Sequence, residues 1–202
     1  MQKIFQYKSR RNQVWLCQAE NQSVVVKNYQ SSDAFCREQN IYKCLQNSEL
    51  PHAKVISAAD DRLVMTHLPG ENLVDVLDRQ ERTGIIHWEV WKKLISWLTG
   101  FYETTGCIMT DVNLRNFLYA PETDILYGLD FEESEEGSMT RTAALLAAYI
   151  CNYAPENTPI KRKIAEYVLQ EFSHCLGVPM QELLAETEKQ EVFLLERRKK
   201  KG

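Results

Sequence analysis

The sequence is short of several features that would define a function at once. No apolar run approaches the roughly 20 residues that cross a bilayer. The opening stretch, MQKIFQYKSRRNQVW, lacks the apolar centre of a signal peptide. The six cysteines form no CxxC pair, so neither a zinc knuckle nor a dithiol redox motif is present. They read as reduced, small apolar residues of a cytoplasmic protein. His52, His67, His87 and His174 have no metal-ligand spacing. There is no basic excess either. Lys and Arg number 24 against 28 Asp and Glu, a net charge of −4, which argues against generic nucleic-acid binding. No repeat and no low-complexity tract interrupts the chain.

What is there has ordinary globular proportions, 44% hydrophobic and 26% charged. The length of 202 residues suits one domain, or one domain of two lobes around a cleft. Charge segregates into an acidic cluster, Glu132, Glu133, Glu135 and Glu136, and a basic tail from Arg197 to Lys201. A solvated loop and a helix end account for both.

The first third reads as strands with one helix. QVWLCQ (13–18) and SVVVKNY (23–29) are β-rich runs that a polar turn joins into a hairpin. A Ser/Asp start and apolar residues near helical spacing predict a helix from Ser32 to Gln46. Two further β-runs follow, Lys54 to Ser57 and Leu63 to Thr66, and Leu68-Pro69-Gly70 then punctuates the chain. A short helix is expected from Asn72 to Asp78, and a strongly amphipathic one from Trp88 to Thr104. Two short strands, Phe117 to Tyr119 and Ile125 to Leu129, meet at the turn PETD. Helices from about Thr140 to Tyr153, Pro159 to Cys175 and Pro179 to Lys200 complete the chain. All four tryptophans, Trp15, Trp88, Trp91 and Trp97, read as core. The expected fold is α+β, a small β-rich lobe with one helix (1–67) followed by a mostly helical lobe (68–202).

Phosphoryl transfer from ATP asks for a cation on the phosphates, a group to aim it, oxygen ligands for Mg²⁺ and a carboxylate at the acceptor hydroxyl. These residue types occur in that order. Lys27 lies in the apolar strand VVVKNY, on the face opposite Val26, and Glu38 stands in the next helix. Asp111 suits the acceptor proton. Asn116 and Asp130 supply the hard oxygens that Mg²⁺ prefers.

The succession VVVKNY, REQNIYKCL, LVMTHLPGENL, TDVNLRNFLY and YGLDFEE resembles the protein-kinase-like superfamily over about residues 7–152. It is most similar to the compact branch of aminoglycoside and choline phosphotransferases, RIO-type kinases and the kinase subunit of the KEOPS complex. The resemblance implies the two-lobed kinase fold and matches the family's lysine, helix glutamate, catalytic aspartate and two metal ligands to Lys27, Glu38, Asp111, Asn116 and Asp130. It also implies that Met65 borders the adenine, that the backbone of Thr66 to Leu68 bonds its edge, and that Gly70 opens the turn out of the linker. The implied function is ATP- and Mg²⁺-dependent phosphotransfer to an unidentified acceptor: a small alcohol, a protein hydroxyl, or water in the service of a protein partner.

Three departures from the family pattern bear on activity. The stretch matching the glycine-rich phosphate loop is KSRRNQ (8–13), without glycine, so charge from Arg10 or Arg11 would have to substitute for backbone amides. The usual histidine two residues before the catalytic aspartate is Met109, and Glu132 replaces the glycine after Asp-Phe. The alternative reading is therefore a pseudokinase, a nucleotide-binding or scaffolding module. A nucleic-acid-associated kinase using the basic tail is a third, which the acidic whole does not support.

Overall fold

The structure, a computed structural model, describes residues 1–20 and 22–199, with side chains as far as residue 196. The basic tail's side chains therefore lie outside the described residues. The N-terminal region is an antiparallel sheet of β1 (Gln2–Tyr7), β2 (Gln13–Ala19) and β3 (Gln22–Asn28), crossed by α1 (Ser32–Leu45) and completed by β4 (Val55–Ala59) and β5 (Arg62–Thr66). Its strand order is β1-β2-β3-β5-β4, which puts β3 at the centre. β1 was not expected from the sequence. Five of its six residues are exposed, so this edge strand lacks the inward and outward alternation that marks a strand.

After Thr66 the chain leaves the sheet and passes Gly70 at φ 116°. A Cβ there would lie 2.6 Å from the Tyr119 carbonyl oxygen, so the turn admits only glycine. β6 (Glu71–Asn72) pairs with a later strand, and α2 (Leu73–Thr83) begins at once. Asn72 caps it, its Oδ1 accepting from the Val74 and Asp75 amides. The helix runs five residues past the expected end at Asp78, to the left-handed cap at Gly84. Arg79 clamps Glu71 with two hydrogen bonds, and the fully buried Gln80 accepts from the Trp91 indole. Those tertiary contacts carry the extra turn and a half.

α3 (Trp88–Thr105) is the axis of the helical part, with Trp91, Leu94, Trp97, Leu98 and Phe101 all buried. Trp88 departs from expectation: it is 40% exposed and lies against Tyr167 at the start of the helix. β7 (Ile108–Met109), β8 (Phe117–Ala120), β9 (Ile125–Gly128) and β10 (Ser134–Glu135) form two small sheets, β6-β8-β9 and β10-β7. α4 (Met139–Asn152), α5 (Pro159–Leu176) and α6 (Met180–Lys199) close the molecule. α4 is buried along most of its length, because its Ala-rich face lets α5 and α6 approach closely. No helix among the described residues is long and apolar enough to cross a membrane. All six cysteines are free thiols, with Cys36, Cys44 and Cys175 exposed.

Candidate active site

The pleat of β3 sends alternate side chains to opposite faces. Val24 and Val26 join Cys17 and Val64 in a small apolar cluster. Lys27 leaves by the other face, toward α1, and is 5% exposed. In α1 the buried positions are Phe35, Glu38, Ile41, Tyr42 and Leu45, so helical spacing carries a glutamate into the core with the apolar residues. An ion there is tolerable only with partners. Glu38 Oε2 accepts from Lys27 Nζ and from the Tyr29 hydroxyl, both at 2.6 Å, and its Oε1 accepts from the Phe131 amide at 3.2 Å.

Burial, the largest influence, pushes the Glu38 carboxyl above its ordinary range, while the Lys27 charge pulls it back. Burial would lower the Lys27 ammonium, but Glu38, then Asp130 and Glu132, outweigh it and hold the lysine above its usual value. Burial and the Glu38 charge raise the Tyr29 phenol, keeping it a donor.

Asp130 follows β9 at φ 60°, ψ 69°, a left-handed conformation unusual outside glycine. That kink and the 3-10 turn Phe131–Glu133 point successive side chains in different directions. Asp130 contacts Lys27 Nζ directly. Phe131 is fully buried, edge-on to Tyr42 of α1 and stacked at 12° on Trp97 of α3. Glu132 turns back to the lysine at 3.3 Å and accepts from Asn12 Nδ2 at 2.5 Å. Arg11 contacts Glu133 and lies 3.7 Å from Glu132, so the β1–β2 turn reaches across to the acidic segment. Glu38, Asp130 and Glu132 each offer an oxygen within 4.8 Å of the others. Three carboxylates outnumber the Lys27 ammonium and the Arg11 guanidinium beside Glu132, and the local field favours a further cation.

The second group lies on the loop after β7. Met109 pairs with Ser134 of β10, which starts the loop beside the acidic turn. Thr110 donates to the Glu133 carbonyl through both its amide, at 3.2 Å, and its hydroxyl, at 2.6 Å. Asp111 Oδ1 accepts from the Tyr149 hydroxyl at 2.8 Å. Asn116 Nδ2 donates to the Asp111 carbonyl at 2.9 Å, and the Asn116 carbonyl accepts from the Leu129 amide at 2.8 Å. A pocket of about 180 Å³, lined by Thr110, Glu133, Glu135, Arg141 and Phe193, adjoins this loop.

The structure thus joins Lys27, Glu38 and Asp130 in direct contact. Asp111 and Asn116 are bonded to each other and reach Asp130 through its neighbour Leu129. Met65 is buried in β5 opposite Val25. The Thr66 amide donates to the Lys54 carbonyl at 2.9 Å, so within Thr66 to Leu68 it is the residues after Thr66 whose backbone leaves the sheet. Glu132 belongs to the cluster as fully as the residues named from the sequence. Tyr29 was legible in principle, since it lies two residues beyond Lys27 and so on the same strand face. Asn12, Tyr149 and Tyr153 gave no signal, because nothing in their spacing marks them.

No protein-family model matches the chain, and no curated protein matches it by sequence. Among solved structures it is similar to the kinase PK-1 of the Cydia pomonella granulovirus, at 18% identity and a TM-score of 0.56. The match covers 67% of this chain and 54% of the viral one, so the chain accounts for about half the length of that kinase. With the antiparallel N-terminal sheet and the helical C-terminal part, that likeness gives the chain a protein-kinase-like fold.

Proposed function

We propose that the chain is a compact, two-lobed kinase-like phosphotransferase, with lobes of residues 1–67 and 68–202, that uses ATP and Mg²⁺ and belongs to the branch of aminoglycoside and choline phosphotransferases, RIO-type kinases and the KEOPS kinase subunit. The observation that carries this reading is the convergence on Lys27 Nζ of Glu38, at 2.6 Å, and Asp130, from a helix and a turn far apart in the chain. A purely structural ion pair needs one carboxylate, not three crowded on one ammonium.

In this reading Lys27 meets the phosphates and Glu38 aims it. Met65 and the backbone of Thr66 to Leu68 border the adenine, with the residues beyond Thr66 best placed to bond its edge. Asp130 and Asn116 are the metal ligands, and Glu132 adds a third oxygen donor. An all-oxygen set suits Mg²⁺, which when bound neutralises phosphate charge. Asn116 donates through Nδ2, which leaves its amide oxygen the ligating atom. Asp111 receives or orients the acceptor proton. Of the basic residues in the glycine-free turn, Arg11 is the one that reaches the acidic segment, and on nucleotide binding it would exchange Glu133 for phosphate. The acceptor is a small alcohol, a protein hydroxyl or water.

Loss of the ATP γ-phosphate with Mg²⁺ tests the reading, comparing parent with Asp111→Asn and Asp130→Asn. Asp130→Asn should lose Mg²⁺-dependent nucleotide binding with the fold intact. Asp111→Asn should keep binding and lose turnover by roughly 10²- to 10⁴-fold. Binding without turnover in the parent would favour the pseudokinase, which Met109 and the glycine-free turn suit. Parent-like binding and turnover in both variants would overturn the site assignment.

A further inference from the structure

Residues 110–113, which carry Asp111, form neither helix nor strand. Met109, two residues before Asp111, is buried and its side chain brings no strong hydrogen-bonding group. Thr110 spends both its amide and its hydroxyl on the Glu133 carbonyl. A carboxylate on such a loop would populate several rotamers unless something outside the loop selects one. The selection comes from α4. Tyr149 lies in the last turn of α4, and Tyr153 is the residue that ends the helix, its backbone already extended. Both rings pack against the main hydrophobic core, which leaves their hydroxyls at fixed depth.

Tyr149 Oη donates to Asp111 Oδ1 at 2.8 Å. Tyr153 Oη donates to Asn113 Oδ1 at 2.5 Å and accepts from the Leu114 amide at 3.0 Å. Asn113 Oδ1 also accepts from the Arg115 amide at 3.0 Å, which starts the 3-10 turn leading to Asn116. The Arg115 guanidinium lies 5.9 Å over the Tyr153 ring. The C-terminal end of α4 therefore grips the loop at the reacting carboxylate and at the turn behind it.

We propose that Tyr149 is a positioning residue for the Asp111 carboxylate and that Tyr153 fixes the loop on which it sits. The inference rests on the assignment of Asp111 to the acceptor hydroxyl. A phenol suits this role. It is neutral, so it orients the carboxylate without cancelling its charge, and its single proton occupies one lone pair of an acceptor that has several. A rigid ring anchored in the core also has little rotamer freedom, unlike a lysine or glutamine in its place.

Tyr149→Phe removes the hydroxyl and keeps the ring. It should lower the kcat of γ-phosphate loss about 10- to 100-fold, the range expected of a misplaced reacting group. The KM for ATP and the melting temperature with ATP·Mg²⁺ should stay at parental values. Tyr153→Phe should speed hydrogen–deuterium exchange of the 110–116 segment several-fold, and Tyr149→Phe should do so to a smaller extent. A Tyr149→Phe enzyme with parental kcat would overturn the proposal, as would one whose KM rises in step with the loss of rate. If the parent itself shows no turnover, the phosphotransfer reading fails separately. Exchange then decides: unchanged protection of 110–116 in both variants overturns the positioning role, and lost protection supports it.

Discussion

Around Lys27 the hydrogen bonds are ionic and deep, whereas those that hold Asp111 come from neutral groups nearer the surface. Glu38 is 1% exposed and takes an ammonium, a phenol and an amide, while Asp130 and Glu132 crowd the same lysine. Asp111 is bonded through neutral groups, a phenol on its side chain and a carboxamide on its carbonyl, with the Arg11 guanidinium acting on it only as a neighbouring charge. A buried ionic group fixes geometry strongly, but its members depend on one another, since losing one leaves the others charged and dry. Neutral anchors near solvent release their partners at little penalty, because water can replace them. The first region should therefore report on stability and the second on rate.

Lys27→Met breaks this comparison most severely if it is wrong. It strands Glu38 without its cation and should lower unfolding free energy by about 3–5 kcal/mol, read from the urea midpoint. Adding Glu38→Gln should recover a large part of that loss. Asp111→Asn should move the same midpoint by no more than about 0.5 kcal/mol, as for an ordinary change outside the core. Equal shifts in the two variants would abolish the distinction.

Gly128→Ala comes next in size and acts on the seam between the regions. A Cβ at Gly128 would lie 2.2 Å from the Trp97 ring. That ring cannot swing away, because its indole donates to the Pro51 carbonyl at 2.8 Å and its faces stack on Phe101 and Phe131. Overpacking of this kind destabilises by about 1–3 kcal/mol. Because Phe131 follows Asp130, the same substitution should also weaken stabilisation by ATP·Mg²⁺. A nucleotide-induced rise in melting temperature equal to the parent's would separate the aromatic stack from the site.

The contrast also explains what was legible in the sequence. Lys27 is a charge set inside the apolar strand VVVKNY and Asp130 one that ends the apolar run ILYGL, and such charges are conspicuous. Glu38, among Arg37, Gln39 and Asn40, was instead legible through the resemblance to the kinase-like superfamily. Asp111 and Asn116 were legible through their order and spacing. Their anchors were not, for Tyr149 lies 38 residues away on a helix whose pattern accommodates a tyrosine without comment. The long helices α3, α4 and α5 follow from periodicity and caps, while β6, β7 and β10, two residues each, exist only because a partner strand lies beside them. The exposure of Trp88 follows from its place at the first position of α3, where Tyr167 covers one face and solvent the other.

The smallest expected effect concerns His52, whose backbone bridges to Gly128 and so ties the N-terminal region to the strand before Asp130. Its Nδ1 lies 2.6 Å from the Leu50 carbonyl and its Nε2 3.4 Å from Lys54 Nζ. That geometry fits a neutral ring with its proton on Nδ1 and its Nε2 accepting from the ammonium. Burial, the largest influence, lowers its pKa, and the Lys54 charge adds to this, while the Leu50 carbonyl acts the other way. The unfolded chain therefore takes up the proton more readily than the fold. The stabilisation is complete above the unfolded pKa of about 6.5 and is lost as pH falls from there through the depressed folded value. His52→Gln removes this dependence, so between pH 7.5 and 5.5 its urea midpoint should fall less than the parent's, by an amount worth under about 1 kcal/mol. Glu38 cannot mimic the effect, because a carboxyl raised by burial binds its proton more tightly in the fold and acts with the opposite sign. Parallel pH profiles for parent and variant would mean that the ring is as easily protonated in the fold as outside it, and that the seam at Gly128 is held by backbone pairing and Trp97 without a neutral histidine.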